Sequence, residues 1–112
     1  MRSLSVVYPV YNEELYVRLT IEKTLEAISR IADDFEIIIV DDASKDGTVE
    51  ILKKIQVKYP DIKMFFKEEN KGKGNTLKIG FKMTTGDYVI VQDADLEYDP
   101  NDYLKLIRAL EE

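Results

Sequence analysis

Short apolar runs alternate along this chain with longer stretches in which apolar positions recur every three or four residues. Residues 4–8 (LSVVY) read as a strand closed by Pro9, which has no N–H to donate to a ladder. Asn12 reads as the N-cap of a first helix, in which Leu15, Leu19, Leu25, Ile28 and Ile31 fall near helical spacing. Residues 35–40 form a second strand, whose unbroken apolar stretch suits a position covered on both faces, as in a parallel sheet. Val49, Leu52, Ile55 and Tyr59 mark a second helix stopped by Pro60, and residues 62–66 a third strand. Leu77, Phe81 and Thr84 share one face of a third helix, which Gly80 weakens. Residues 88–91 form a fourth strand. Asp99 and Pro100 then read as an N-cap and a first-turn proline, opening a closing helix with a stripe of Tyr103, Leu104, Ile107 and Leu110.

This βαβαβαβα order predicts an α/β fold: a Rossmann-like parallel sheet of about four strands with alternating helices and right-handed crossovers. No repeat, linker or low-complexity segment interrupts it, so residues 1–112 read as one domain.

Composition narrows the chemistry. Apolar residues make up 45% and charged residues 34%, the balance of a globular chain with a solvated surface. The longest wholly apolar run is residues 37–40, far short of the roughly 20 residues of a membrane span. The first residues lack the apolar core of a secretory leader, so the expected location is cytoplasmic, including the cytoplasmic face of a membrane. The chain has no cysteine and no histidine. Thiol nucleophiles and imidazole-dependent triads are excluded, and any metal must be held by oxygen, which points to Mg²⁺ or Mn²⁺. Sixteen basic and 22 acidic residues give a net charge of −6, which argues against nucleic acid as a partner. A phosphorylated ligand would need a metal or a few placed groups to supply positive field.

Ligands of open α/β sheets bind outside the carboxyl ends of the strands. Three polar clusters fall there: Tyr11 to Glu13 after the first strand, Asp41 and Asp42 after the second, Asp93 and Asp95 after the fourth. Their convergence counts for more than any one of them. If the chain stays extended, Asp93 and Asp95 share a face with Cα atoms about 6.6 Å apart. Carboxylates so placed repel unless a cation lies between them, and a divalent ion there can also take a diphosphate. Ala94 keeps the middle position small. A lone Asp-x-Asp is more often a solvated turn; its place after a buried strand, beside two other clusters, reverses that judgement.

Tyr11 offers a flat face to a nucleobase and Glu13 an acceptor, although Pro9, Tyr11 and Asn12 also make an ordinary strand end. Asp42 is placed to hold a ribose hydroxyl or base amine, while Ser44 and Asp46 read as helix caps. The stretch NKGKGN (70–75) lets backbone N–H groups face an anion, with Lys73 as a point charge. It matches neither a Walker A loop nor a dinucleotide fingerprint, and a surface loop explains it equally well.

Together these segments resemble the family 2 glycosyltransferases of the A-type fold. The matching stretches are PVYNE (9–13), IVDDASKDGT (39–48), NKGKGN (70–75) and GDYVIVQDADLEYDP (86–100), in the family's order and over nearly the whole chain. The last is most similar to the polyprenyl- or dolichyl-phosphate mannosyltransferase branch. The resemblance implies Pro9, Tyr11 and Glu13 around the nucleobase and Val40 and Asp42 near base and ribose. It also implies Asp93, Ala94 and Asp95 at the diphosphate and metal, with Glu97 as a further metal ligand where that branch often has glutamine. Asn75 departs from the small residue usual at its position.

The resemblance further implies inverting transfer from a GDP- or UDP-linked sugar, with a lipid phosphate as acceptor in this branch. Family members continue into an acceptor-binding part. This chain therefore resembles the donor-binding front half, and a partner chain or self-association would have to supply the rest. A nucleotide-sugar-binding module without turnover is the second reading. A receiver-like signalling domain is the third, but its paired acids would follow the first strand. A haloacid-dehalogenase-like phosphatase would likewise carry Asp-x-Asp after its first strand, not its fourth.

Overall fold

The computed structural model describes residues 3–30 and 32–92. The expected closing helix and the segment containing Asp93, Ala94, Asp95 and Glu97 lie outside the described residues, as does Ile31. The element order is β1 (Leu4–Val10), α1 (Val17–Ser29), β2 (Phe35–Asp41), α2 (Thr48–Lys58), β3 (Lys63–Phe66), α3 (Lys73–Met83) and β4 (Tyr88–Val91). The strands form a four-stranded sheet in the order β3-β2-β1-β4, with every pairing parallel. The α/β architecture expected from the apolar pattern is the one observed.

The two faces of the sheet are filled differently. Leu4, Val6, Tyr8 and Val10 of β1 join Ile37 and Ile39 of β2, Ile90 of β4, Val17, Ile21 and Ile28 of α1, and Leu52 and Ile55 of α2 in one core. Inside it the Tyr8 hydroxyl donates to the Thr20 carbonyl at 3.2 Å and bonds Thr24 Oγ1. Burial pushes the Tyr8 phenol well up from its ordinary value, and the Thr24 bond offsets only part of that. On the opposite face α3 lies across β1 and β2, so close that a Cβ on Gly80 would stand 2.5 Å from Val7 Cγ1 and 3.5 Å from Val40 Cγ2. This division follows from connectivity. The chain steps outward from β1 to β2 to β3, then returns past both to β4, and a crossover of constant hand puts the returning helix on the other face.

Four expectations change. Pro9 lies inside β1, paired with Val40. The carbonyls of Val7 and Val10 accept from Gln92 on the β4 side and Asp42 on the β2 side. Alternation therefore turns position 9 towards β4, beyond that strand's last pair, Val7 with Val91, where a missing N–H breaks no bond. Asn12 does not cap α1. It takes a left-handed φ of 50°, and the helix begins at Val17 with no side-chain cap. The buried stripe of α1 is Val17, Thr20, Ile21, Thr24, Ala27 and Ile28, while Leu15 and Leu19 are exposed. Two buried threonines carry the true phase, and reading only the aliphatic positions missed it. In α3 the sheet-facing residues are Thr76 and Gly80, with Phe81 exposed. The glycine read as a weakness is what permits the close crossing.

Candidate functional site

The carboxyl ends of β1 and β2 carry two loops bonded to each other. The Asn12 N–H donates to Ser44 Oγ at 2.8 Å, and the Lys45 N–H donates back to Asn12 Oδ1 at 2.8 Å. The Glu13 N–H donates to Thr48 Oγ1 at 2.9 Å. The Gly47 N–H reaches Glu14 Oε2 at 3.3 Å, and the Glu14 N–H reaches Asp46 Oδ2 at 3.4 Å. Asn12 and Ala43 both sit in the left-handed region, with φ of 50° and 59°, a conformation costing an ordinary L-residue roughly 1–2 kcal/mol. Strain of this kind is held in place only where surrounding bonds over-determine it, as the cross-links do here.

The N-cap of α2 is Gly47, with no side-chain cap bond; Asp46, one residue earlier, accepts from the Thr48 N–H at 2.9 Å and from its hydroxyl. Burial tends to raise its pKa, but those bonds and the Glu14 N–H outweigh it and hold the carboxyl below its ordinary value. Ser44 is not a cap. Its N–H and hydroxyl both donate to Asp41, which is 1% exposed at the end of β2.

Asp42 is the centre of a second set of bonds. Its carboxylate pairs with Lys67 Nζ at 2.6 Å, both side chains being nearly buried. It also accepts the Lys71 and Gly72 N–H groups, each at 2.9 Å. Burial opposes ionisation, but the Lys67 ammonium and the two backbone donors prevail, so the carboxyl is held below its usual range. Lys67 Nζ continues to Thr76 Oγ1 at 3.2 Å, and that hydroxyl donates to the Gly72 carbonyl at 2.8 Å. One carboxylate thus ties together the ends of β2 and β3, the glycine loop and the first turn of α3. The N–H groups expected to face a ligand anion face Asp42.

A cleft of about 580 Å³ opens above β2 and β3, lined by residues that include Asp41, Ser44, Lys45, Phe66, Lys67 and Asn70. Tyr11, 41% exposed, and half-buried Glu13 do not line it. They join it through the Asn12 and Thr48 bonds. Pro9 is half-buried near the end of β1. Val40 is fully buried under α3, so its side chain cannot meet a base. Lys73 is the exposed first residue of α3. Among the described residues no three acidic side chains gather to hold a cation. The carboxylate oxygens of Asp41 and Asp42 are engaged by Ser44, Lys67 and the N–H groups of Lys71 and Gly72.

Sequence reasoning missed Lys67 and Gln92. Lys67 follows the apolar residues 64–66, and only the β2–β3 register, with Phe66 opposite Asp41, brings it level with Asp42. Gln92 is 1% exposed, and its N–H donates to the Val7 carbonyl at 2.9 Å, carrying the β4 ladder one residue further. It stands beside the point where strand order reverses between β1 and β4, the crevice in which open α/β sheets take ligands.

Residues 5–112 match the model of the glycosyl transferase family 2, and the chain belongs to that family. Its relatives include the undecaprenyl-phosphate 4-deoxy-4-formamido-L-arabinose transferase of Photorhabdus laumondii, 36% identical over 115 residues, covering 100% of this chain and 35% of that protein. The Pyrobaculum calidifontis mannosyltransferase PcManGT, solved with GDP-Man and Mn²⁺, matches with a TM-score of 0.78 at 28% identity, over 92% of this chain and 30% of that one. The S. aureus protein TarS, residues 1–349 with UDP-GlcNAc, gives 0.75 at 29% identity, over 96% and 30%. The chain spans about a third of the length of the curated relatives it matches. The fold is thus the A-type glycosyltransferase fold.

Proposed function

We propose that the chain binds a GDP- or UDP-linked sugar at the β1/β4 crevice, as the donor part of a metal-dependent, inverting glycosyltransferase. The observation that carries this reading is the meeting of two things at one strand reversal. Gln92, bonded to β1, is followed in sequence by Asp93, Ala94 and Asp95, and the strained, bonded loops of β1 and β2 stand at the same edge of the sheet. Mn²⁺ in the PcManGT complex supports a divalent ion.

Tyr11 supplies an exposed ring for the base and Glu13 an acceptor beside it. Asp93 and Asp95, with Glu97, are the oxygen donors for Mg²⁺ or Mn²⁺, which would neutralise charge on the departing diphosphate. Asp42 contributes by fixing the loop at Lys71 and Gly72, since its oxygens are already engaged. Lys73, at the opening of α3, adds a positive charge beside that loop. The lipid-phosphate relatives support a polyprenyl phosphate acceptor, whose own oxygen can attack without a separate base, at the cytoplasmic face of a membrane. No helix among the described residues is long and apolar enough to cross one.

Calorimetry of GDP and UDP with and without Mn²⁺ tests the reading. One nucleotide should bind in a Mn²⁺-dependent manner, and Asp95→Ala should abolish that dependence. Unchanged affinity in the variant overturns it. Product formation from labelled donor and a lipid phosphate separates transfer from binding alone.

A further inference from the structure

Where the chain leaves β1 and enters α1, three large apolar side chains stand uncovered. Leu15 is 82% exposed, Tyr16 43% and Leu19 44%. Their exposure is built into the turn. The Asn12 and Glu13 N–H groups bond Ser44 and Thr48, and the Glu14 carboxylate accepts the Gly47 N–H. The Tyr16 and Val17 N–H groups both return to the Glu13 carbonyl, at 3.1 and 2.9 Å. The backbone is thus fixed on both sides of Leu15. Beyond it, α1 buries the side that carries Val17, Thr20 and Ile21, which leaves Leu19 on the other. A leucine held this far out cannot fold back onto the core.

We propose that this corner is a lipid-contact surface, with Leu15 and Leu19 entering the interfacial region of a bilayer and Tyr16 lying at headgroup level. Size favours lipid over a protein partner. Three side chains fall far short of the roughly 20–30 residues a side of a stable protein interface, whereas a bilayer demands no complementary shape. Charge favours it too. Arg18 and Lys23 are exposed on α1 and form no ion pair among the described residues. The neighbouring carboxylates of Glu14 and Asp46 accept backbone N–H groups, and Glu26 is paired with Arg30 further along the helix. Half-buried Glu22 offsets part of this. Free positive charge still borders the two leucines, as phosphate headgroups require, although the chain as a whole carries −6. Position adds a consequence. The corner lies at the carboxyl edge of the sheet, so a membrane touching it brings lipid-borne phosphate to the loops of β1 and β2. That consequence rests on the donor-binding reading with a lipid-phosphate acceptor; the lipid contact itself does not.

The chain has no tryptophan, so a single introduced one reports one position. With vesicles of phosphatidylethanolamine and phosphatidylglycerol, the emission of Leu15→Trp should move to shorter wavelength. Val57→Trp, at an 85% exposed position of α2, should not respond. The parent chain should sediment with the same vesicles, and Leu15→Asp combined with Leu19→Asp should weaken that binding about tenfold or more. Both leucines are exposed, so thermal unfolding should show the doubly substituted chain intact. If it does not, Leu15→Ser with Leu19→Ser takes its place with the same outcomes. A parent chain that stays in the supernatant overturns the proposal, as does sedimentation that the paired change leaves untouched. So does a Leu15→Trp shift that appears without vesicles as the chain is concentrated, which would assign the corner to a second copy. Vesicle binding is read without nucleotide, so its failure leaves the donor reading standing. A parent chain that binds vesicles but no nucleotide strikes the donor reading alone.

Discussion

At the scale of single residues, the polar edge of this sheet is organised by a buried ion pair. Asp42 and Lys67 are 2.6 Å apart, with side chains 6% and 5% exposed. Such a pair adds little over a well-packed apolar substitute, but removing one partner strands the other charge. Lys67→Met should therefore destabilise the fold by about 3–5 kcal/mol, seen in urea unfolding. Adding Asp42→Asn should recover part of that loss, because the stranded carboxylate is gone. Additive losses would show that the two side chains act separately. The acids of this edge were legible in the sequence, since strand-end carboxylates announce themselves. Their partner was not: a lysine among 16 basic residues carries no mark of burial until a fold closes over it.

Among elements, α3 shows best how local reading and packing diverge. Its glycines look alike in sequence and do three different things. Gly72, with φ of 89° and ψ of 167°, holds a backbone region nearly closed to other residues while its N–H bonds Asp42. Gly74 has an ordinary helical place where an added Cβ would meet nothing within 4 Å, whereas a Cβ on Gly80 would meet Val7 at 2.5 Å. Gly72→Ala should cost about 1–3 kcal/mol through strain. Gly80→Ala should cost a similar amount through overpacking, roughly 1–3 kcal/mol less some helix propensity regained. Gly74→Ala should stabilise by up to about 1 kcal/mol. Thermal unfolding of the three variants checks the order, and a harmful Gly74→Ala would refute the distinction. Periodicity located β2, α2 and β4 because aliphatic residues, Ile37 to Val40, Leu52, Ile55 and Ile90, dominate their buried positions. It misjudged α1 and α3, where Thr20, Thr24, Thr76 and Gly80 occupy the buried face.

Across the whole molecule the two ends of the sheet are built for different tasks. The carboxyl end holds left-handed residues and a cleft; the amino end is pinned by Glu36. That carboxylate accepts from Ser5 Oγ at 2.6 Å, Lys63 Nζ at 2.7 Å and the Thr85 N–H at 2.6 Å, joining β1, β2, β3 and the turn before β4. Burial raises its pKa, but these donors more than reverse that and bring it from 4.5 to about 2. Because the folded value is the lower one, the contribution to stability is complete above pH 4.5 and is lost as pH falls from there towards 2. In that window the unfolded chain takes up a proton that the native chain refuses. Asp42 and Asp46 add to the same acid sensitivity, since both are also held low. The parent and Glu36→Gln chains should thus differ clearly in urea midpoint near neutral pH and converge as the acid end of the window is approached. A gap that stays constant down to pH 2 would mean that Glu36 serves by shape alone, and that its charge does not hold the amino end of the sheet together.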